Sequence, residues 1–403
     1  MPNRRYLQML KCNRLFFSSS ADLDVFHDRI LPDQAQHNYL IECRNKIKGH
    51  LEVAIANATV SELGMKKPVK PKFRTQGSWA YDTCVKPAHK EKQEMDWDYG
   101  VYLPIDVWES NGPPTPMAKK YFDLVERLLT PLCKENGWHL AQGPERKATC
   151  IRIQVASWAH MDIPLYAAPE HEFDKVVEKL ALLTNRAMNE SISLESMDFA
   201  DGDFEYNQAW EDMEDIMMAT RSGDWRPSDP EAVRRWFEEC QRICGNKAQL
   251  LRICRYLKAW RDYVYPSGGP SSVAIMVSIS KNFIPVHGRD DKALIAAAEI
   301  LADKVMTDIK EISICDEPFN RLSEPERWDV RLKLINLIAS LKQALSKEVY
   351  QKQDACTIII NALGNRIPTD VSLIDLDTGA AEIVRNTPAN HVPKAVVGVS
   401  SSG

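Results

Sequence analysis

The stretch from Gln76 to Pro104 constrains this chain most, because it sets a Gly-Ser pair ahead of two aspartates, Asp96 and Asp98. The aspartates stand two residues apart, and the apolar run from Val101 to Leu103 continues the strand they predict. Side chains at i and i+2 of a strand share a face, so both carboxylates can meet one metal cluster. Gly77 has no Cβ and lets a phosphate approach its backbone, while Ser78 can donate its hydroxyl to a phosphate oxygen. A Gly-Ser turn that opens a helix adds backbone N–H groups to this cradle. Carboxylates beside a phosphate cradle are the equipment of metal-dependent nucleotidyl transfer. Tyr81 lies one helical step further on the same face, either to stack on a base or to pack as an ordinary tyrosine.

A third carboxylate comes from residues 150–167. Ile151, Ile153 and Val155 alternate with polar residues, and so do Met161, Ile163 and Leu165. On that alternation Asp162 points away from the apolar face of a second strand. An Asp-x-Asp pair alone arises by chance in many chains. The Gly-Ser turn upstream and Asp162 downstream are what give it weight. In nucleotidyl transfer a ribose hydroxyl attacks the α-phosphorus of a triphosphate and pyrophosphate leaves. Carboxylate-held Mg²⁺ ions can activate the attacking oxygen and stabilise the leaving one, and a third carboxylate can take the hydroxyl proton or bind the first metal.

Residues from Pro32 to Ala58 carry apolar side chains at helical spacing and predict one long helix, followed by the Lys- and Pro-rich segment 66–72. Pro113, Pro114 and Pro116 mark a loop. A helix follows to Asn136, which Pro131 should kink or split. Further helices are predicted over 229–244, 247–264, 291–309 and 325–347, the last opened by a Ser323/Glu326 capping box. Strands thus concentrate in the first half and helices in the second, which predicts an α+β lobe joined to a helical lobe. The expected division is an N-terminal extension over 1–29, a core over 30–225, a helical lobe over 226–370 and a flexible tail over 371–403. In the helical lobe, Lys258 and the Gly-Gly-Pro-Ser-Ser turn ending at Ser272 could both reach triphosphate oxygens. Periodicity alone reads them as a solvated helix face and a plain connecting turn.

Bulk properties remove several function classes. The net charge of −5 gives no global basic field for long nucleic acid. No run approaches the ~20 apolar residues of a membrane span. The ten cysteines lack CxxC spacing, and Cys240 and Cys244 have no histidine near them in sequence, so buried thiols of a reducing cytoplasm are expected. The basic, Ser-rich N-terminus reads as a flexible extension with only a faint likeness to a transit peptide. The Asp201-Gly-Asp203-Phe-Glu205 cluster lacks EF-hand spacing and reads as a solvated acidic loop.

The runs QGSWAY, QEMDWDYGVYLP and MDIPLYA, in this order, closely resemble the bacterial cGAS/DncV-like nucleotidyltransferases, the CD-NTases, and most of all the branch of the Vibrio dinucleotide cyclase. MATRSGDWRPSDP (217–230), LKAWRDYVYPSGGPSS (257–272) and NALGNRIP (361–368) resemble family elements too, so the likeness spans about residues 30–370. The resemblance implies a polymerase-β-like nucleotidyltransferase core packed against a helical lobe, with the active site in the cleft. It implies synthesis of a cyclic di- or trinucleotide second messenger from ATP and other NTPs in anti-phage (CBASS) signalling. By similarity Asp96, Asp98 and Asp162 bind Mg²⁺, with Mn²⁺ as the alternative ion. Gln76, Gly77, Ser78, Lys258 and Ser272 contact triphosphate, and Tyr81 stacks on a base. Tyr99 stands where the Vibrio-like pattern has an acidic residue, and on a strand it faces away from Asp98. The zinc-binding insertion of the animal sensor is not recognisable, so no DNA activator is expected. Related operons encode a ubiquitin-ligase-like conjugating enzyme that joins the synthase's C-terminal glycine to a target, which makes Gly403 a conjugation candidate. The downstream effector would be reached through the cyclic nucleotide. Two other readings stay open at this point: a template-independent linear nucleotidyltransferase, and a non-catalytic nucleotide-sensing module.

Overall fold

The computed structural model describes residues 9–105, 115–189, 204–211 and 213–377. Gly403, the chain beyond Asp377, Asp201, Asp203, Pro113 and Pro114 lie outside the described residues. Along the chain run β1 (Leu10–Lys11), α1 (Asn13–Phe16), α2 (Phe26–Ile30), α3 (Gln34–Ala58), β2 (Lys72–Gln76), the single turn α4 (Gly77–Ala80) and β3 (Met95–Pro104). Next come α5 (Thr115–Asn136), β4 (His139–Leu140), β5 (Ile151–Ala156), β6 (Ala159–Ile163), β7 (Leu165–Ala168), α6 (Glu170–Asn189), α7 (Phe204–Ala209), β8 (Met217–Ala219) and β9 (Trp225–Pro227). The second half is helical: α8 (Pro230–Ile243), α9 (Lys247–Val264), α10 (Ser272–Ser280), α11 (Asp290–Lys304), α12 (Glu324–Leu345) and α13 (Lys352–Leu363), closed by β10 (Asp375–Leu376). The class is α+β, as expected. Among the described residues no helix is long and apolar enough to cross a membrane.

β3 is the axis of the sheet. β2 runs antiparallel along one side of it, with Gln76 opposite Asp98. β6 and β7 run parallel to it, Met95 facing Ala159 and Pro104 facing Ala168, so both keep one register along β3 on either side of Pro164. β5 pairs with β6 and β8 with β7, both antiparallel. The alternation in β3 buries Met95, Trp97 and Tyr99 and turns Asp96 and Asp98 to the other face. Helices α3 and α5 cover the apolar face, where Leu40, Ile47, Leu51, Tyr121 and Phe122 share a core with Trp97 and Val101. Helix α3 starts at a capping box, Asp33 accepting from the Gln36 N–H at 2.8 Å and Gln36 from the Asp33 N–H at 3.1 Å. Helix α5 runs unbroken through Pro131, so the expected split does not occur. Pro131 and Arg127 are both exposed, so the carbonyl that loses its N–H partner is open to water.

A second core unites α9 to α13 around Leu257, Trp260, Leu294 and Leu337. Residues 10–29, expected as part of an extension, belong to it through Leu10, Leu15, Phe16 and Phe26, all fully buried. Leu373 and Ile374, expected in a flexible tail, are buried there too, and β10 pairs with β1. The expected capping box of Ser323 and Glu326 is present at the start of α12.

Candidate active site

The cleft between the two cores has a volume of about 460 Å³. Its sheet wall carries Gly77, Ser78, Glu94, Asp96 and Asp98, and its helical wall carries Lys258, Arg261, Asp262, Ser271 and Ser272. The parallel register sets Asp98 opposite Asp162 and Asp96 opposite His160. Oxygens of Asp96 and Asp162 and a nitrogen of His160 all lie within 4.8 Å of one another. The three aspartates read from sequence are thus brought together, and Asp162 is buried where the alternation placed it off the apolar face.

Gly77 adopts φ +63°, and a Cβ built on it would stand 2.1 Å from Asp98 Oδ2. The requirement for glycine here is therefore set by the Asp98 carboxylate as well as by the backbone. Burial, then the charges of Asp96 and Asp162, raise the Asp98 carboxyl well above its ordinary range. Arg152 sits on β5 opposite Asp162 and donates to both of its oxygens, at 2.7 and 2.6 Å. Burial works against the Arg152 charge, but the Asp162 pair raises its pKa overall. Burial likewise disfavours charge on His160, and contact with Asp96 outweighs it and raises the His160 pKa.

Across the cleft, Lys258 is only 4% exposed and donates to the Thr83 carbonyl. This overturns the solvated-face reading from periodicity. Burial pushes its pKa down to about 8. Ser271 caps α10, its hydroxyl accepting from the Ala274 N–H at 3.1 Å, and Ser272 follows at the mouth of the cleft. Arg261 lies one helical turn after Lys258, donates to the Pro270 carbonyl at 2.8 Å and reaches Ser272 Oγ at 3.4 Å. Gln93 ties the two walls by donating to the Asp262 and Tyr265 carbonyls at 2.9 and 2.8 Å.

Two residues expected to touch nucleotide are placed elsewhere. The Gln76 amide is buried, donating to Tyr102 Oη at 2.6 Å and accepting from Tyr166 Oη at 3.1 Å. Tyr81 packs edge-on to Phe237 and does not line the cleft. Sequence reasoning missed Arg152, His160, Glu94 and Arg261. A β5–β6 hairpin turning at Ser157 and Trp158 would have paired Arg152 with Ile163, and it is the register shift between Gln154 and Ala156 that sets Arg152 opposite Asp162 and Gln154 opposite His160. Tyr99 is stacked on Phe73 within the apolar core, as its strand position predicts.

Residues 71–166 match the family model for the nucleotidyltransferase domain of cyclic GMP-AMP synthase DncV-like proteins, and residues 247–376 match that for the cyclic GMP-AMP synthase C-terminal domain. A cyclic GMP-AMP synthase of Vibrio cholerae serotype O1 is 33% identical over 347 residues, covering 83% of this chain and 76% of that protein. The chain belongs to the DncV-like nucleotidyltransferase family. A cyclic GMP-AMP synthase of Escherichia coli is 30% identical over 339 residues, covering 80% of this chain and 72% of the relative. The fold matches that of Vibrio cholerae DncV cyclic AMP-GMP synthase, solved with the linear intermediate pppA(3′,5′)pG. The TM-score is 0.71 at 24% identity, over 92% of this chain and 100% of that one. A mutant of the Vibrio cholerae di-nucleotide cyclase, solved with ATP and GTP, has a TM-score of 0.70 at 25% identity, over 91% of this chain and 99% of that one. As a DncV-like protein this chain is an enzyme, a nucleotidyltransferase of the cyclic-oligonucleotide-synthase kind.

Proposed function

We propose that this DncV-like enzyme joins two nucleoside triphosphates, ATP among them, into a cyclic dinucleotide within the cleft, and that the product is a second messenger of anti-phage defence. The observation that carries the reading is the opposition of Asp96 and Asp98 on the sheet wall, with Asp162 paired beside Asp98 on β6, to Lys258, Arg261 and Ser272 on the helical wall. The donor set fits a divalent cation, because Asp98 is crowded by the like charges of Asp96 and Asp162, and a bound cation reverses that logic. Asp96, Asp98 and Asp162 would hold Mg²⁺, which when bound supplies charge stabilisation to the α-phosphate and the departing pyrophosphate.

The chain's own residues do the rest. Gly77 leaves room for phosphate beside its backbone, and Ser78 donates its hydroxyl to a phosphate oxygen. Lys258 and Arg261 neutralise the triphosphate from the far wall. Asp162, held in one orientation by Arg152, accepts the proton of the attacking ribose hydroxyl. The oxygen bonds to the α-phosphorus as the bond to pyrophosphate breaks. A second round on the turned linear intermediate closes the ring.

Incubation with all four NTPs and Mg²⁺, followed by phosphatase and mass spectrometry, tests the reading. A cyclic dinucleotide has no terminal phosphate and survives, whereas a phosphatase-sensitive product would replace the proposal with linear transfer. Asp96→Asn with Asp98→Asn should abolish pyrophosphate release, and retained release would overturn the site.

A further inference from the structure

We propose that His160 donates a ring nitrogen to the divalent cation at the Asp96–Asp162 site and biases that site toward Mn²⁺ over Mg²⁺. The inference rests on the nucleotidyl-transfer reading above. His160 is 7% exposed and faces Asp96 across the β3–β6 pair. Its Nδ1 lies 2.8 Å from Glu94 Oε2, and Gln154 donates to the other oxygen of Glu94. A carboxylate behind the imidazole is the support that fixes the tautomer of metal-binding histidines. With Nδ1–H donating to Glu94, the neutral ring keeps its lone pair on Nε2, and metal binding displaces any proton held there.

Nε2 stands 3.1 Å from Asp96 Oδ1. The contact does not have hydrogen-bond geometry, and both atoms are buried without a hydrogen-bond partner. Two buried groups this close are costly unless a positive charge, a proton or a metal ion, sits between them. Two cis ligands of an octahedral ion at about 2.1 Å stand roughly 3.0 Å apart, which is the separation found. Asp162 brings the third donor within 4.8 Å of the other two. Its pairing with Arg152 leaves it able to ligate, because each carboxylate oxygen has a second lone pair. Mg²⁺ is a hard ion that takes oxygen, whereas a nitrogen donor favours ions of the transition series.

The test uses the full chain with Mn²⁺ alone, without nucleotide. Pulsed electron paramagnetic resonance should show ¹⁴N coupling to bound Mn²⁺, and His160→Gln should lose it while keeping the wild-type urea midpoint. Glu94→Gln retains His160 but removes its support, so Mn²⁺ affinity should fall about tenfold, while Mg²⁺ affinity changes less than twofold. Bound Mn²⁺ without nitrogen coupling overturns the inference, as does coupling that survives in His160→Gln, or no Mn²⁺ binding at all. Should His160→Gln fail to fold, an unchanged Mn²⁺/Mg²⁺ ratio in Glu94→Gln overturns it instead. Asp96→Asn separates the two readings. If it leaves Mn²⁺ binding intact, the carboxylate site falls and the inference with it. If it abolishes binding while wild type shows no nitrogen coupling, only the role of His160 falls.

Discussion

Replacing Gly77 by alanine puts the proposed phosphate cradle and the proposed metal site in direct conflict. The new Cβ would stand 2.1 Å from Asp98 Oδ2 and 3.1 Å from its Cγ, where real Cβ contacts essentially never fall below 3.0 Å. The carboxylate has to retreat by about 0.9 Å. A displacement of about 1 Å at a reacting centre costs roughly 100-fold in rate. The backbone adds its own cost, because an alanine at φ +63° loses about 1–2 kcal/mol of stability. Gly143 supplies the control: it adopts φ +53° with nothing within 4 Å of its virtual Cβ, and it does not line the cleft. Gly77→Ala and Gly143→Ala should therefore lose similar stability in urea melts. Only Gly77→Ala should lose pyrophosphate release at saturating NTP and Mg²⁺, by roughly 100-fold. A Gly77→Ala enzyme that turns over within threefold of wild type would refute the claim that Asp98 is held in working position against this glycine.

Two further outcomes follow from buried charge. Lys258, with its pKa lowered to about 8, loses its proton as pH rises through that value, so the KM for NTP should rise above pH 8. Lys258→Arg keeps its charge and should flatten that limb; a KM profile identical in wild type and variant would remove Lys258 from triphosphate binding. Glu231 joins the cores by accepting from Arg74 at 3.0 and 3.2 Å and from Arg234 at 2.6 Å. Burial would raise its carboxyl, but the two arginines outweigh it and hold it at about 2, below the ordinary 4.5. The stability this supplies is present above about pH 4.5 and is lost as pH falls toward 2. Glu231→Gln should cost about 3–5 kcal/mol at pH 7 and less at pH 3. An equal loss at both pH values in urea melts would exclude the ionised pair as its source.

What the sequence revealed divides along physical lines. Asp96 and Asp98 were legible because the alternation of β3 is set by its own residues. Asp162 was legible for the same reason. His160 and Arg152 were not, because their importance lies in cross-strand register, which no single strand's pattern contains. Lys258 misled in the opposite way. Helix α9 buries polar Gln249, Arg255 and Lys258 together with its apolar residues, so polarity along it does not mark the solvent side. Gln76 came from motif likeness and Tyr81 from helical spacing, and packing holds Gln76 on Tyr102 and Tyr166 and Tyr81 against Phe237. The N-terminal segment looked loose because it is basic and Ser-rich, and the burial of its apolar residues depends on helices far along the chain.

The pairing of Leu10–Lys11 with Asp375–Leu376 carries a consequence for the order of assembly. Chains emerge from the ribosome N-terminal end first, and cores close as their parts appear. The sheet core has its carboxylates once Asp162 has emerged, whereas the helical core lacks its closing strand until Leu376 has done so. During synthesis the acidic wall is therefore built well before the basic wall that faces it. A chain made only as far as the sheet core would hold the carboxylates and the Gly77–Ser78 turn without Lys258 and Arg261 to face them.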